Sequence, residues 1–244
     1  MNKSSYIIGF VTVLTAVVAL VLSLLYSGLK DTHKKNELLF EKKAILSSLK
    51  DVVGNSKLTN DEVSQIFSKD VSQYIIDTKG NILDKTQLEN LGLGDLTADE
   101  LDAKKEFAKP FDKRLMPLYV YKDKKGDEYY VVKLLGKGLW DEISGYLALD
   151  GDKNTIHGAS FDHKGETPGM GAEMKDNPKF AAEFKGKAIF DDKGNLVSID
   201  VRKGGAVDKM HDVDGITGAT LTSDGITRML KTSLTNYEAF LEKQ

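Results

Sequence analysis

The stretch Asp214-Gly-Ile-Thr-Gly-Ala-Thr-Leu-Thr-Ser223 runs directly into the clearest helix signal of the sequence. Apolar residues recur after it at helical spacing and form one face of a C-terminal helix: Ile226, Met229, Leu230, Leu234, Tyr237 and Leu241. Gly215 and Gly218 allow the backbone to turn tightly just before that helix. The stretch therefore predicts a glycine loop followed by an amphipathic helix whose apolar face packs on a core.

The start of this helix is a candidate anion site. Thr222, Ser223 or Asp224 can cap it, and the free N–H groups of a first helical turn bind phosphate well. We therefore expect a phosphate near residues 220–223. The common alternative for such a junction is a loop and a helix cap without a ligand. The Gly-Lys-Ser/Thr ending of a P-loop is missing, so nucleotide hydrolysis is not predicted.

Strand-like runs separated by glycine turns cover much of the preceding sequence. They lie at residues 74–77, 118–121, 129–135, 146–149 and 155–161. A further hairpin is predicted from 188–190 and 196–201, joined by the turn Asp191-Asp-Lys-Gly-Asn195. Strands that pair as hairpins, with helices between the sets, predict an α+β fold with a mostly antiparallel sheet and flanking helices.

Local capping signals predict shorter helices. Thr59-Asn-Asp-Glu62 and Thr97-Ala-Asp-Glu100 both fit the capping-box spacing and predict helices near 60–69 and 98–108. A proline at the first turn favours another short helix at 178–185.

The N-terminal sequence predicts a membrane anchor. Residues 6–26, YIIGFVTVLTAVVALVLSLLY, carry no charge and are long enough to cross a bilayer as a helix. We expect a tail at 1–5, this single transmembrane helix, a juxtamembrane amphipathic helix at 27–50 and a domain at 51–244. A cleaved signal peptide is the alternative, but the run exceeds the usual apolar segment of about 7–15 residues.

The distribution of lysines near this helix predicts an orientation. One lysine, Lys3, precedes it, whereas a group follows it: Lys30, Lys34, Lys35, Lys42 and Lys43. Because positive charge favours the cytoplasmic side, this bias places the C-terminal side in the cytoplasm.

Composition excludes several classes of function. The chain has no cysteine, which excludes disulfides, Fe–S ligation and thiol catalysis by its own residues. Its four histidines lack metal-ligand spacing, so no metal site is predicted, and no Ser–His–Asp arrangement or carboxylate pair marks a catalytic residue. A net charge of −3 gives no reason to expect nucleic acid as a partner.

Three further segments could carry chemistry. Gly165-Glu-Thr-Pro-Gly-Met-Gly-Ala-Glu173 is an irregular loop that could line a planar aromatic ligand, or be a structural loop. Val201-Arg-Lys-Gly-Gly205 could place positive charge near such a ligand, or simply end a hairpin. Gly138-Leu-Trp140 holds the only tryptophan, which is more often a packing residue than a stacking partner.

Taken in chain order, from Gly138-Leu-Trp140 to the stretch at 214–223, the four segments resemble the FMN-binding domain of the C subunit of the Na⁺-translocating NADH:quinone oxidoreductase. The resemblance covers the anchor and about residues 130–244, which form the core of the FMN-binding domain placed at 51–244. It implies that FMN is attached covalently to Thr220 through a phosphoester bond. It also implies that a flavin transferase, using FAD and Mg²⁺, makes this bond and recognises the motif that Asp214 opens.

The resemblance implies the remaining site residues as well. Thr222 and Ser223 would hold the phosphate next to Gly218 and Ala219. The segments expected around the isoalloxazine ring contribute Leu139, Trp140, Glu166, Thr167, Gly169, Met170, Lys203 and Gly204.

The function implied is that of an electron-relaying subunit in a multi-subunit, ion-pumping membrane complex that oxidises NADH and reduces ubiquinone. NADH would bind another subunit, because no Gly-x-Gly-x-x-Gly follows a strand here. The resemblance also implies a bacterial inner membrane and a flavin domain on its periplasmic side, against the lysine bias. Two alternatives are the flavin subunit of the related ion-translocating ferredoxin:NAD⁺ complex and a non-enzymatic, membrane-tethered binding or sensor module.

Overall fold

The computed structural model describes residues 3–54 and 58–243. The chain divides into two compact units, Met1–Phe40 and Glu41–Gln244. Of the tail expected at 1–5, residues 1 and 2 lie outside the described part, and the remaining three already belong to the first helix.

Nine α-helices are present in the described ranges. Their bounds are α1 Lys3–Ser48, α2 Lys50–Val53, α3 Asn60–Asp70, α4 Lys85–Asn90, α5 Ala103–Ala108, α6 Glu173–Asp176, α7 Pro178–Ala182, α8 Thr220–Thr235 and α9 Glu238–Leu241. Short 3-10 turns cover Ala98–Glu100 and Phe111–Lys113.

The strands form one large antiparallel sheet and one small parallel pair. The five-stranded sheet follows chain order through β1 Val71–Asp77, β2 Leu115–Lys122, β3 Glu128–Lys137, β4 Glu142–Leu149 and β5 Ile156–His163. In the small sheet, β6 Asp200–Arg202 runs parallel to β7 Asp212–Asp214. This confirms the predicted α+β class, with a mostly antiparallel sheet and helices around it.

Helix α1 is continuous through the segments that the sequence assigns to a span at 6–26 and a separate helix at 27–50. Its first part is long and apolar enough to cross a membrane, by length and composition. Its last turns belong to the second unit and pack on the sheet. Ile45, Leu46 and Leu49 are buried there, and Glu41 forms an ion pair with Lys133 of β3. This burial accounts for the amphipathic pattern of the segment.

The two capping-box predictions have different outcomes. At Thr59, both reciprocal hydrogen bonds with Glu62 form and α3 starts as predicted. At Thr97, the side chain instead binds the carboxylate of Asp99 at 2.6 Å, and only a 3-10 turn follows. The helix at 103–108 has its own cap, Asp102, so the single helix predicted at 98–108 is wrong.

The hairpin predicted from 188–190 and 196–201 is also wrong. Its turn forms, because Asp191 accepts hydrogen bonds from the N–H groups of Lys193 and Asn195 at 2.9 and 2.8 Å. Beyond a single bridge between Phe190 and Leu196, however, the pairing ends. Ser198 has a φ of 67°, in the left-handed region, and this turns the chain towards β7.

Helix α8 and the residues that follow it pack across β3 where β2 and β3 separate. The hydroxyl of Tyr237 accepts from the N–H of Lys133 at 3.2 Å and donates to the carbonyl of Pro117 at 2.9 Å. The hydroxyl of Ser233 accepts from the N–H of Leu135 at 3.0 Å. The side chains therefore replace the missing strand partner, and the first turn of α8 comes to lie beside the end of β3.

Candidate functional site

The first turn of α8 forms one wall of the candidate site. The helix begins at Thr220 with Ala219 at the N-cap, and no side chain among the described residues caps it. The prediction that Thr222, Ser223 or Asp224 caps this helix is therefore wrong, since all three lie inside it. Its first N–H groups have no acceptor within the helix and remain available for an anion.

The four hydroxyl groups around this turn differ in accessibility. Thr222 and Ser223 are both about 1% exposed. The Thr222 hydroxyl donates to Oε2 of Glu166 at 2.6 Å, and Ser223 Oγ accepts from the N–H of Ile216 at 3.0 Å. Thr220 is half-buried and Thr217 is exposed. Only Thr217 and Thr220 thus present hydroxyls that a ligand can reach.

These contacts change the roles expected of Thr222 and Ser223. Both side chains have internal partners, and the N–H of Ser223 already donates to the carbonyl of Ala219 at 2.9 Å. Neither hydroxyl faces outward to hold a phosphate. The backbone N–H groups of Leu221 and Thr222 are the better candidates for that contact.

Glu166 is buried beneath the site, and its expected place beside a ring stays a prediction. Its side chain is 5% exposed. Oε1 accepts from the N–H of Trp140 at 3.0 Å, and Oε2 accepts from Thr222. The carboxylate thus faces inward and links the turn after β3 to the first turn of α8.

Exposed apolar side chains gather around this link. Trp140 is 65% exposed, and Leu139 and Met170 are each about 42% exposed. The indole Nε1 of Trp140 donates to the hydroxyl of Thr167 at 3.2 Å. The methyl carbon of Met170 lies 3.8 Å from where a Cβ on Gly218 would sit. Three of the four predicted segments therefore meet here, and their exposed apolar surface is typical of a ligand or partner contact.

The fourth segment, with Lys203 and Gly204, adjoins the start of the 214–223 stretch. The N–H of Gly215 donates to the carbonyl of Arg202 at 2.7 Å, and a Cβ at Gly215 would lie 2.7 Å from that oxygen. Gly204 has a φ of 87°, which favours glycine. Lys203 is exposed, so its ammonium group is available to a ligand on this side.

Asp214 takes part in the same junction. It is exposed, yet its Oδ1 accepts from the N–H of Ala206 at 2.7 Å. Its own N–H donates to the carboxylate of Glu183 at 2.9 Å. Asp214 therefore fixes the loop after β6 as well as opening the motif.

Charged groups stabilise the loop between β6 and β7. Burial raises the pKa of Asp212, but hydrogen bonds from the N–H groups of Asp208 and Val207 and from Arg202 outweigh it, so that its pKa lies below the usual range. Burial lowers the pKa of His211, but the carboxylate of Asp208 and the carbonyl of Phe190 raise it above its ordinary value.

Several residues of the site were not predicted. The ring of His163 accepts from the N–H of Glu166 at 3.2 Å, and Glu183 binds Asp214. Gly171 leaves space for the Glu166 carboxylate. Only Gly171 had a visible signal, as the last glycine of the Gly-x-Gly pattern. Glu183 and Asp214 are 31 positions apart in sequence, and a histidine three residues before a glutamate is not a motif in itself.

The arrangement suits an anion joined to an aromatic ring. The uncapped first turn of α8 offers N–H groups to a phosphate, and Trp140 and Met170 offer an apolar surface nearby. Within residues 3–54 and 58–243, no group of three or more His, Asp or Glu side chains could hold a metal ion.

The chain is similar to known proteins over most of its length. Residues 138–235, from the Trp140 turn to the end of α8, match the FMN-binding domain family. The C subunit of the Na(+)-translocating NADH-quinone reductase from Pseudomonas aeruginosa is 33% identical, covering 92% of this chain and 91% of that protein. The same subunit from Vibrio anguillarum is 34% identical over 88% of this chain and 84% of that protein.

Two solved structures share the fold of this chain. The crystal structure of the Parabacteroides distasonis C subunit superimposes with a TM-score of 0.74 at 34% identity, covering 88% of this chain and 98% of that one. Shewanella oneidensis NqrC gives a TM-score of 0.66 at 27% identity, covering 85% and 97% of the two chains.

Proposed function

This chain belongs to the family of the C subunit of the Na(+)-translocating NADH-quinone reductase, and from that membership we propose that it carries FMN covalently on Thr220 and relays electrons within a membrane complex. Its membership of an oxidoreductase complex and its FMN-binding domain support a redox role for a flavin bound here.

The single observation that carries the attachment to Thr220 is the accessibility of the hydroxyl groups. Thr222 and Ser223 are buried with internal partners, which leaves Thr217 and Thr220. Thr220 is the first residue of the uncapped helix, so a phosphate bonded to its oxygen lies next to free N–H groups. Thr217 lies outside the helix, three residues before it. Because a phosphate is more favourable at this helix end than on the preceding loop, we assign the attachment to Thr220 rather than to Thr217.

Attachment needs a flavin transferase and its substrate FAD. In this step the Thr220 oxygen would form a bond to the FMN phosphorus of FAD. The bond from that phosphorus to the bridging oxygen of the pyrophosphate would break, AMP would leave with that oxygen, and the threonine proton would pass to solvent. Asp214 and Thr220 are both reachable in the folded domain, which supports modification of the folded chain. Thr220 is then a tether, and it takes no part in the redox reaction.

When bound, FMN supplies the one-electron chemistry, and the residues of this chain position it. The N–H groups at the start of α8 offset the phosphate charge, and Lys203 adds positive charge from the neighbouring loop. Trp140 and Met170, whose side chains are exposed beside the start of α8, would contact the ring, which would accept and donate electrons when bound. NADH binds elsewhere in the complex, and this chain alone forms no complete active site.

We place helix α1 across a bacterial inner membrane, with the domain from about residue 51 on the periplasmic side. The apolar, chargeless run at 6–26 supports the span. A single-pass anchor keeps the flavin domain close to the other subunits of the complex.

Denaturing electrophoresis tests the attachment. The full chain co-expressed with a flavin transferase is expected to give a band that fluoresces under ultraviolet light. Thr220→Ala should abolish the fluorescence, and Thr217→Ala, the matched change at the other reachable hydroxyl, should retain it. A fluorescent Thr220→Ala band, or a dark wild-type band, would overturn the proposal.

A further inference from the structure

The Glu166 carboxylate joins two elements that would flank a flavin. It accepts from the N–H of Trp140 at 3.0 Å through Oε1 and from the Thr222 hydroxyl at 2.6 Å through Oε2. Trp140 lies in the turn between β3 and β4, and Thr222 is in the first turn of α8. One side chain thus connects the exposed indole to the helix that begins at Thr220.

The backbone around this carboxylate is shaped to fit it. A Cβ at Gly138 would overlap Oε1 of Glu166, and a Cβ at Gly171 would overlap Oε2. The same Cβ at Gly171 would lie 2.7 Å from the hydroxyl oxygen of Thr222. Any larger residue at either position would displace the carboxylate, so both glycines serve this contact.

The charge of Glu166 makes the link strong. A buried carboxylate is costly unless it is hydrogen-bonded, and both of these donors are neutral groups. Its position beside the first turn of α8 adds the favourable field of a helix N-terminus. Releasing either donor would leave a buried charge poorly compensated, so the turn and the helix are held together.

From these contacts we propose that Glu166 is a positioning residue, which fixes the Trp140 turn against the start of α8 before any flavin is attached. The proposal rests on the proposed attachment of FMN at Thr220, because it assigns the fixed turn as the wall that the attached ring meets. A preformed wall lowers the entropy lost when the ring is held in place.

The first test uses the chain expressed without a transferase. Trp140 is the only tryptophan, so its fluorescence reports on the turn directly. Glu166→Ala is expected to lower the fluorescence anisotropy and to raise the acrylamide quenching constant by about half or more, because the turn gains local freedom. Glu166→Gln keeps an acceptor for the Trp140 N–H but loses the charge, so its anisotropy and quenching constant should lie closer to wild type than those of Glu166→Ala do. Thr222→Val removes only the hydrogen bond between Glu166 and α8. Its anisotropy and quenching constant should therefore lie between those of the wild type and those of Glu166→Ala.

Glu106 provides a matched control. It is also 5% exposed, and its carboxylate accepts from the N–H of Leu115 at 3.1 Å and binds Lys109, neither of which belongs to the Trp140 turn or to α8. Glu106→Ala should lower the melting temperature without changing the Trp140 signals. If Glu106→Ala changes these signals as much as Glu166→Ala does, or if Glu166→Ala leaves them at wild-type values, the proposal is overturned.

The second test uses the flavin-loaded full chain. Glu166→Ala should remove about half or more of the visible circular dichroism of the flavin, since that signal depends on fixed surroundings. Glu166→Gln should retain it. Unchanged dichroism in loaded Glu166→Ala contradicts the positioning role. Failure of the wild-type chain to take up flavin contradicts the proposed function instead, and the tryptophan measurement separates the two failures.

Discussion

At the scale of single residues, the site depends on which polar groups are already occupied inside the protein. Thr220 and Thr222 differ by two positions, yet Thr220 is half-buried, whereas Thr222 is buried with its hydroxyl bound to Glu166. A sequence pattern of hydroxyl residues does not distinguish them. The difference arises from the inward-facing carboxylate that the loop after β5 brings beneath the helix.

Tyr237→Phe tests a buried hydroxyl of the same kind. Its oxygen accepts from the N–H of Lys133 and its O–H donates to the carbonyl of Pro117, so the change removes the partner of one partly buried and one buried backbone group. We expect a loss of about 1–3 kcal/mol in the free energy of unfolding, measured by urea denaturation. Tyr130→Phe is the control, because that hydroxyl contacts only the exposed carboxylate of Glu128. If Tyr237→Phe is as stable as Tyr130→Phe, the Tyr237 hydroxyl does not stabilise the fold in this way.

At the scale of elements, α8 positions the site because small residues let it approach the sheet. Gly225 lies in the helix where a Cβ would come within 2.7 Å of the carbonyl oxygen of Lys137 and 3.2 Å of the Cα of Gly138. The first turn of the helix therefore sits directly against the end of β3, and this contact sets its distance from the Trp140 turn.

Gly225→Ala separates this packing from helix propensity. In an open helix the change would stabilise by about 1 kcal/mol. Here the added methyl group meets backbone, which cannot rotate away, so we expect a lower melting temperature and reduced flavin attachment. Thr232→Ala, at an exposed position of the same helix, should not destabilise the domain. A melting temperature for Gly225→Ala at or above wild type would show that α8 has room to move.

The loop between β6 and β7 gives a prediction on pH. Because the pKa of folded His211 is raised above the ordinary 6.5, the protonated ring stabilises the loop below that pH. This stabilisation is lost as the pH rises through the pKa of the folded protein. Titration by nuclear magnetic resonance should give a His211 midpoint above 6.5, and Asp208→Asn should lower it. A midpoint that Asp208→Asn leaves unchanged would exclude the carboxylate as the cause.

The same elements show which predictions the sequence supports. Short-range signals succeed at Thr59, where cap and partner are three residues apart. They fail at 196–201, because the left-handed turn at Ser198 ends the pairing with 188–190 and β6 pairs in parallel with the following strand, β7. The glycine segments of the site are visible in sequence, but the burial of Glu166 is not. It depends on contacts with residues 26 positions before it and 56 after it.

At the scale of the whole molecule, the lysine bias and the family resemblance imply opposite orientations. Lys42 forms an ion pair with Asp99 at 3.2 Å, and Lys43 donates to the side chain of Asn60 at 2.7 Å. Both lysines thus have roles in the folded domain that are independent of topology. The bias that remains comes from the lysines nearer the span, at 30–35.

Protease treatment of intact spheroplasts tests the orientation. We expect external protease to digest the domain, while a cytoplasmic marker protein stays intact. Lysis should then make the marker sensitive as well. Protection of the domain until lysis would place it in the cytoplasm, as the lysine bias predicts.

The attachment of FMN to Thr220 is tested most directly by mass spectrometry of peptides from the full chain, purified from cells that express a flavin transferase. We predict that the peptide containing residues 214–223 gains the mass of FMN less one water. Fragmentation should place this mass on Thr220. An unmodified Thr220 in protein that carries flavin, or an adduct on Thr217, would contradict it.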